Sequence, residues 1–457
     1  MSIYLSIFVI IICLFSFFKQ REIILLWFFV FTIINGMFEF NFGAAFKVYH
    51  LITLLYLPRT ISFLINSPTL KRKVNPLMIE FILMMAMGLL FSFVIQFDDP
   101  FKHFRSTTQL PEWRTLISGI RLFLELFSVL TVIYWLKVKL FSVKYLFKVI
   151  SVSTIITVVF AFLIYITNGV AYKFVFPYWD YVADRMLSNH DFRGLVGEPK
   201  TFGRTCAFLL ISMLSFGKYI DKPLRIFSIS LSFIGILMSM SASALIVASV
   251  GLFLFFVTQK KISYLLIFSV VFLVLFQILN SNSNFNEKTL GKIRYVLSSN
   301  SSDRIDEGKV RSNEPEVFTR FEIFDRAALN FLYFNPQYLL FGVGPNTVSI
   351  PASQYLTYRM RNSEVHGYGI NTAPATLFVN ILSRSGLLGL FLYLFFLFGV
   401  YRGLRGRNFK NTFLILTIMA FITSTTIILL FHGIFLFLSI YNRKYNFKKR
   451  LIHSNEE

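Results

Sequence analysis

The chain has 457 residues, of which 55% are hydrophobic and 18% aromatic, and its mean hydropathy is +0.64. No soluble core hides that much apolar surface, so the composition excludes a soluble globular domain and indicates that lipid surrounds most of the chain. The formal charge of +22 would fit a nucleic-acid-binding protein only if the basic residues formed one soluble surface. They lie between apolar runs instead, so no nucleic-acid partner is expected.

Apolar segments that could cross roughly 30 Å of hydrocarbon as helices recur along the chain. In chain order, the predicted spans are 2–18, 23–38, 44–66, 76–97, 115–136, 146–167, 204–217, 225–240, 243–258, 262–279, 375–400 and 411–440. Lipid cannot satisfy unpaired backbone groups, and strand-like alternation is absent, so these spans should be helices. The predicted fold class is all-α: a polytopic transmembrane helix bundle of about 12 to 13 spans with a partly helical large outward loop.

The basic residues predict the orientation of the bundle, because short cytoplasmic loops retain Lys and Arg. Alternate connections and the C-terminal tail carry 23 basic residues against four acidic ones, and we expect them to face the cytoplasm. A single helix over 411–440 would place the basic tail on the wrong side. Two short helices that turn near 423–426 would restore the rule.

The remaining connections should face outward, and two of them are long and rich in charged and aromatic residues. The predicted parts are 1–279 with an outward loop at 168–203, a large outward loop at 280–374, and C-terminal spans with a basic tail at 375–457. The large loop contains an amphipathic stretch over 318–334, bounded by prolines. We expect this loop to form a small cap on the membrane surface.

Charged residues inside apolar spans are costly, so each one suggests a role or a partner. Glu80 falls within such a span. Arg121 and Glu125 lie four positions apart, so they would share one helix face and could neutralise each other without any substrate. His432, in the last apolar stretch, is expected to be a packed or interhelical hydrogen-bonding group.

The segment Arg193-Gly-Leu-Val-Gly-Glu-Pro-Lys-Thr-Phe-Gly-Arg204 leads directly into a predicted span. It places three cations (Arg193, Lys200 and Arg204) beside one carboxylate, Glu198. One guanidinium group can donate hydrogen bonds to two phosphate oxygens at once, and glycines let a ligand approach the backbone closely. This set of residues therefore suits a phosphorylated ligand. The alternative is a solvated, charged loop that merely leads into a helix.

The second loop carries an ordered series of motifs. The series is Arg320, Phe341-Gly-Val-Gly-Pro345, His366, Asn371 and then Leu377-Phe-Val-Asn-Ile-Leu-Ser-Arg-Ser-Gly-Leu-Leu-Gly389. With the Arg-Gly-x-x-x-Glu-Pro segment, it resembles the O-antigen polymerase and ligase family of membrane glycosyltransferases. Members of that family commonly carry His immediately before Asn, whereas His366 here stands five positions before Asn371.

The resemblance implies transfer of a glycan from an undecaprenyl-diphosphate-linked donor to a sugar hydroxyl, at the outer face of a bacterial inner (plasma) membrane. Such a reaction needs cations at the leaving diphosphate, a base for the acceptor hydroxyl and an apolar groove for the lipid. The residues we expect to bind the diphosphate are Arg193, Lys200, Arg204 and Arg320. Either Glu198 or His366 would activate the acceptor. Metal and cofactor are not expected, since the outward loops lack a cluster with metal-ligand spacing.

Three functions remain as alternatives. The first is a polymerase of lipid-linked repeat units, the second a ligase that moves finished glycan onto lipid A core or protein, and the third a flippase or transporter without covalent chemistry. The polymerase is favoured, because the Glu-Pro loop resembles those of polymerases and the spacing of His366 and Asn371 weighs against a ligase. A transporter is expected to show internal repeats, and we detect none. The expected partners are the lipid-linked glycan, membrane lipid and, as an open alternative, a chain-length regulator.

Overall fold

A computed structural model of the chain describes residues 3–35, 39–41, 45–97, 110–167, 169–170, 192, 194, 199–259, 277, 323–355, 374, 376–423 and 425–441. Within these ranges the structure contains thirteen α-helices and one two-stranded antiparallel hairpin. The predicted all-α fold class is confirmed. The small hairpin, which pairs Phe40 with Phe46, was not predicted.

The helices and strands follow the apolar segments of the sequence. The helices are α1 (Ile3–Phe18), α2 (Glu22–Asn35), α3 (Val48–Ile65), α4 (Pro68–Leu89), α5 (Pro111–Lys137), α6 (Val143–Ile166), α7 (Pro199–Phe216), α8 (Lys222–Met238), α9 (Ala242–Thr258), α10 (Ile323–Phe334), α11 (Leu377–Gly403), α12 (Arg407–Ile422) and α13 (Ile427–Tyr441). The strands are β1 (Glu39–Asn41) and β2 (Ala45–Lys47), and a π-helical segment (Leu90–Ile95) extends α4. Short 3-10 helices lie at Gly217–Tyr219, Pro336–Tyr338, Thr347–Ser349 and Pro351–Tyr355.

Several of these helices have the length and composition of membrane spans. Among the described residues, five segments are long and apolar enough to cross a membrane: Val48–Ile65, Pro68–Ile95, Trp113–Lys137, Val143–Ile166 and Leu377–Gly403. Four apolar helical segments are shorter: Ile7–Phe18, Glu22–Asn35, Ala242–Thr258 and Ile427–Tyr441. Large apolar side chains such as Phe18 and Ile82 are 74% and 66% exposed, as lipid-facing residues should be. The chain is therefore a multi-pass membrane protein. The predicted span at 262–279 lies outside the described residues except for Gln277.

The last predicted span, 411–440, is a helical hairpin. α12 ends at Ile422 and α13 begins at Ile427, and Thr423 between them has an extended backbone. The intervening sequence is Thr-Ser-Thr-Thr, whose hydroxyl groups compete with the helical hydrogen-bond ladder. The hairpin that the charge rule required is therefore confirmed.

Contacts between helix termini define two ends of the bundle. At one end, the Lys73 ammonium donates hydrogen bonds to Gly399 O in α11 (3.1 Å) and to Ser439 Oγ in α13 (2.9 Å). The Lys137 ammonium lies 4.6 Å from the ring centroid of Tyr441. We call this the basic end, because Lys73 and Lys137, from two of the predicted Lys-rich connections, lie there.

The opposite end, which we call the motif end, carries those parts of the predicted functional segments that the structure describes, among them Arg204. Here Thr426 Oγ1 at the start of α13 donates to Ile33 O near the end of α2 (2.7 Å). The hydroxyls of Thr205 in α7 and Thr425 lie 3.3 Å apart. These contacts show that α5, α11 and α13 end at the basic end, where α4 begins, and that α7 and α13 begin at the motif end, where α2 ends.

Helix α13 lies in the centre of the bundle. Eleven of its fifteen residues are buried. Its sequence is apolar on all sides, as expected of a helix that other helices surround. His432 on α13 lies 3.3 Å from the Tyr393 hydroxyl of α11 through its Nε2 atom. His432 is therefore an interhelical hydrogen-bonding group, as predicted.

Candidate functional site

The Gly-x-Gly-Pro turn, residues 341–345, docks against a break in α11. Gly386 lies inside α11 but has the non-helical dihedral angles φ 66° and ψ −165°, so the helix cannot continue its own hydrogen-bond ladder there. Four backbone hydrogen bonds of 2.8–3.1 Å join the two segments: Val343 N to Ser383 O, Gly344 N to Arg384 O, Leu387 N to Leu339 O and Leu388 N to Leu340 O. The turn and its preceding residues therefore satisfy backbone groups on both sides of the break.

Glycine is required at this junction because the backbones approach too closely for a side chain. Gly344 has a φ of +93°, and a Cβ atom there would lie 2.1 Å from Gly88 Cα in α4. At Gly386, a Cβ atom would lie 2.3 Å from Leu340 O. The glycines of the sequence motif thus serve backbone packing between α4, the turn and α11.

We expect Gly344→Ala to prevent stable docking of the turn. The new methyl group would clash with backbone atoms, which cannot move aside as a flexible side chain could. The loss should exceed about 2 kcal/mol in the free energy of unfolding. Thermal unfolding of the purified protein in detergent measures it. Gly399→Ala is the matched control, since a Cβ atom at Gly399 meets nothing within 4 Å. Equal unfolding temperatures for the two variants would contradict the packing role.

A buried ion pair holds the same junction from the side of α4. Arg384 Nε lies 3.1 Å from Glu80 Oε1, and Ser385 Oγ donates to the same oxygen at 2.8 Å. The Glu80 and Arg384 side chains are only 6% and 15% exposed. Sequence reasoning singled out Glu80 but missed its partner. The signal for Arg384 was available, because it is a lone cation within the predicted span 375–400.

Helix α10 covers the start of α11. This helix lies within the predicted amphipathic stretch, of which 318–322 fall outside the described residues. Asp325 is fully buried, and its Oδ1 accepts a hydrogen bond from the backbone N–H of Thr376, the N-cap residue of α11 (3.2 Å). A carboxylate at a helix N-terminus is favourable because the helix dipole is positive there.

The turn continues into polar contacts with α5. Asn346 Nδ2 donates to Ser118 Oγ (2.7 Å), and the hydroxyls of Thr347 and Thr115 lie 3.4 Å apart. Arg114, next to Thr115 in the first turn of α5, is only 5% exposed. Arg114 is a buried cation at the motif end that sequence reasoning did not select. The sequence offered little reason to select Arg114, because this residue precedes the apolar run 115–136 and so does not appear as a charge inside a predicted span.

Helix α7 presents two of the predicted cations. Lys200 is half-buried and Arg204 is 6% exposed, and they lie one turn apart on one face of the helix. Arg204 Nε donates to Ser243 Oγ (3.1 Å), and that hydroxyl lies 3.1 Å from Ser241 Oγ. Hydroxyl groups at the start of α9 therefore fix the plane of a buried guanidinium group.

The segment that leads into α7 packs against it at two points. The rings of Phe192 and Phe202 are 5.5 Å apart. Gly194 has a φ of +58°, and a Cβ atom there would lie 2.8 Å from the Phe202 ring. The first glycine of the Arg-Gly-x-x-x-Glu-Pro motif therefore allows close contact with α7.

The structure places two of the six predicted site residues, Lys200 and Arg204, and brings them to one face of α7. The other four, Arg193, Glu198, Arg320 and His366, lie outside the described residues. Within the described ranges, His, Cys, Asp and Glu form no group of three that could hold a metal ion.

Comparison with known protein families gives a match to part of the chain. A family model described as O-antigen ligase matches residues 227–394. Neither the curated proteins nor the solved structures provide a match. The matched range contains α10, the Gly-x-Gly-Pro turn and the break in α11, whereas Lys200 and Arg204 precede it. The match confirms, over residues 227–394, the similarity to the O-antigen polymerase and ligase family that the motifs indicated.

Proposed function

We propose that the chain is a polymerase that joins undecaprenyl-diphosphate-linked oligosaccharide repeat units into O-antigen, capsule or exopolysaccharide. The reaction takes place at the outer face of the bacterial inner membrane, where the motif end would face the periplasm or exterior. The match over 227–394 supports the glycan transfer that polymerase and ligase share. The Arg-Gly-x-x-x-Glu-Pro segment, which resembles those of polymerases, favours the polymerase. The buried, hydroxyl-anchored guanidinium group of Arg204 supports it, because a lipid-diphosphate donor needs fixed cations.

In this reaction the acceptor hydroxyl oxygen attacks the anomeric carbon of the donor sugar. The bond from that carbon to the diphosphate oxygen breaks, and undecaprenyl diphosphate leaves with the electron pair. The acceptor proton passes to a base, Glu198 or His366. Arg204 and Lys200, together with Arg193 and Arg320, would stabilise the charge that develops on the diphosphate. Ser243 holds Arg204 before substrate binds. Little free energy is therefore needed to reorient the guanidinium group when the transition state forms.

The structure offers less support for a transporter. A broken helix and a buried ion pair are features that transporters use for substrate binding. Here the break in α11 is occupied by residues 339–344 of the same chain, and Glu80 is bound by Arg384 and Ser385. These groups are therefore engaged in holding the fold together.

The second candidate is an O-antigen ligase, which the description of the matching family model favours. Gene deletion followed by gel analysis of surface glycans separates the candidates. A lost O-antigen polymerase leaves one repeat unit on the lipid core, and a lost capsule or exopolysaccharide polymerase leaves single repeat units on undecaprenyl diphosphate and no surface polymer. A lost ligase leaves polymer on undecaprenyl diphosphate and a bare core, and a lost flippase leaves intermediates at the cytoplasmic face. Only a result expected of a lost polymerase agrees with the proposal.

We expect Glu198→Gln or His366→Ala to lower turnover of purified lipid-linked repeat units by about 100-fold or more, because one of these groups takes the acceptor proton. Turnover is measured with single-residue variants of equal abundance. Glu22→Gln, a carboxyl change in the first turn of α2, is the control and should retain activity. If both site variants turn over like the unmodified protein, neither residue is the base.

We propose that the reaction needs no metal, because cationic side chains replace the metal that many glycosyltransferases place on a diphosphate. Activity should therefore be unchanged in excess EDTA. Product formation from lipid-linked repeat units is the measurement. A loss in EDTA that added Mg²⁺ or Mn²⁺ restores would contradict it.

A further inference from the structure

An open cavity lies at the basic end, where α11 passes into α12. Its volume is about 640 Å³, and its lining includes Tyr401, Asn411 and four cations, Arg402, Arg405, Arg407 and Lys410. Among the described residues, none of those that line the cavity is acidic. Four like charges around one cavity repel one another, so the arrangement favours an anionic occupant.

The walls of the cavity are held in place by local packing. Leu404 is 2% exposed and anchors the connection between the two helices. Gly406 has a φ of +88°, a conformation that favours glycine and turns the chain into α12. The Lys410 ammonium lies 5.1 Å from the ring centroid of Tyr401, so it is positioned against the cavity wall.

An exposed apolar stripe on α11 leads to this cavity. Phe391, Phe395 and Phe398 are 63%, 57% and 59% exposed. Their spacing of four and three positions, followed by four more to Arg402, keeps all of them on one face of the helix. A ligand that lies along this face would therefore contact hydrocarbon-like surface first and cationic groups at the basic end.

The positive charge at the basic end follows from membrane topology and by itself requires no ligand. Topology does not explain why the cations line one cavity, or why that cavity lies at the end of the exposed apolar stripe on α11. An anionic phospholipid has this same arrangement, with acyl chains beside a phosphate. Basic pockets between transmembrane helices bind such headgroups.

We propose that the cavity between α11 and α12 binds the phosphate of an anionic phospholipid whose acyl chains lie along Phe391, Phe395 and Phe398. The site lies at the end of α11 opposite the break at Gly386. It is thus separate from Arg204, which lies at the motif end, and its existence does not depend on the proposed function.

Native mass spectrometry of the purified full chain tests this site. The protein is titrated with phosphatidylglycerol or with phosphatidylcholine of the same acyl chains, and the retained lipid is counted. We expect phosphatidylglycerol to be retained in preference. The double variant Arg405→Gln/Arg407→Gln should weaken its retention by about 30-fold, since each cation near a headgroup contributes about 1 kcal/mol.

The matched control is Lys71→Gln/Arg72→Gln, which removes two exposed charges at the basic end but outside the cavity lining. This variant should retain phosphatidylglycerol normally, and gel filtration checks that both variants are folded. Equal loss in the two variants would overturn the proposal in favour of general surface charge. Competition by glycerol phosphate at the same concentration as the lipid would overturn it in favour of a free phosphate ligand. Equal retention of both phospholipids would also overturn it.

Discussion

Replacing Arg204 with alanine should lower the yield of long-chain glycan by at least about 100-fold while leaving membrane insertion intact. The guanidinium group is buried and held by Ser243, so its loss removes a preoriented cation that a flexible side chain could not replace. The measurement is product length and amount on a gel, normalised to protein abundance in the membrane. Arg193→Ala and Arg320→Ala are expected to give the same loss.

Three further variants make this test specific. Arg204→Lys keeps the charge but loses the paired N–H groups, so it should recover only part of the activity. Ser243→Ala removes the hydroxyl that Arg204 contacts and should give a smaller loss than Arg204→Ala. Arg72→Ala, an exposed cation at the basic end, should behave like the unmodified protein. Full-length polymer from an abundant Arg204→Ala protein would remove this residue from the site.

The second large effect concerns stability. Glu80→Gln should lower the free energy of unfolding by about 3 to 5 kcal/mol, because it leaves the Arg384 cation buried without its counter-charge. The substitution keeps the shape of the side chain and an oxygen that can accept the Ser385 hydrogen bond, so the loss reports the charge. Thermal or chemical unfolding of the purified protein in detergent measures it.

The chain offers a matched ion pair for comparison. The predicted pair of Arg121 and Glu125 is present, at 3.5 Å, with side-chain exposures of 42% and 20%. Because this pair lies within the span Trp113–Lys137, where lipid surrounds an exposed side chain, removing Glu125 should also be destabilising. Glu22→Gln, a carboxyl change in the first turn of α2, is the control and should lower the free energy of unfolding by at most about 1 kcal/mol. The double variant Glu80→Met/Arg384→Met should recover most of the lost stability, because it leaves no buried charge. A double variant as unstable as Glu80→Gln would show that the charge is not the cause.

Much of the bundle could be predicted because its determinants are local. Apolar segments of the required length define spans, and the placement of Lys and Arg orders their directions. The turn at 423–426 was predicted from charge alone and lies between α12 and α13. The start of α4 was predicted too late, at 76 rather than Pro68, because Lys71, Arg72 and Lys73 were assigned to a connection. Lys73 is tolerated in the helix because carbonyl and hydroxyl oxygens of α11 and α13 accept its hydrogen bonds.

The candidate site was predictable only in part. The types of its residues could be selected, since cations near glycines indicate a phosphorylated ligand. Their partners could not, because Ser243 lies 39 positions after Arg204 and nothing in its own neighbourhood marks it as a contact. Arg114 was missed for a similar reason, because it lies at the edge of an apolar run and its burial depends on helices that pack around it.

By itself, the sequence determined that this protein is a helical, multi-pass membrane protein, and its ordered motifs indicated a resemblance to the family whose model matches residues 227–394. These properties depend on hydropathy, charge and spacing along the chain. The tertiary structure alone decided that Glu80 pairs with Arg384, 304 positions away, and that the Gly-x-Gly-Pro turn fills the break at Gly386. The physical reason is that a buried charge or a broken helix is costly in lipid until a partner satisfies it, and only the packing of the helices decides which partner is within reach.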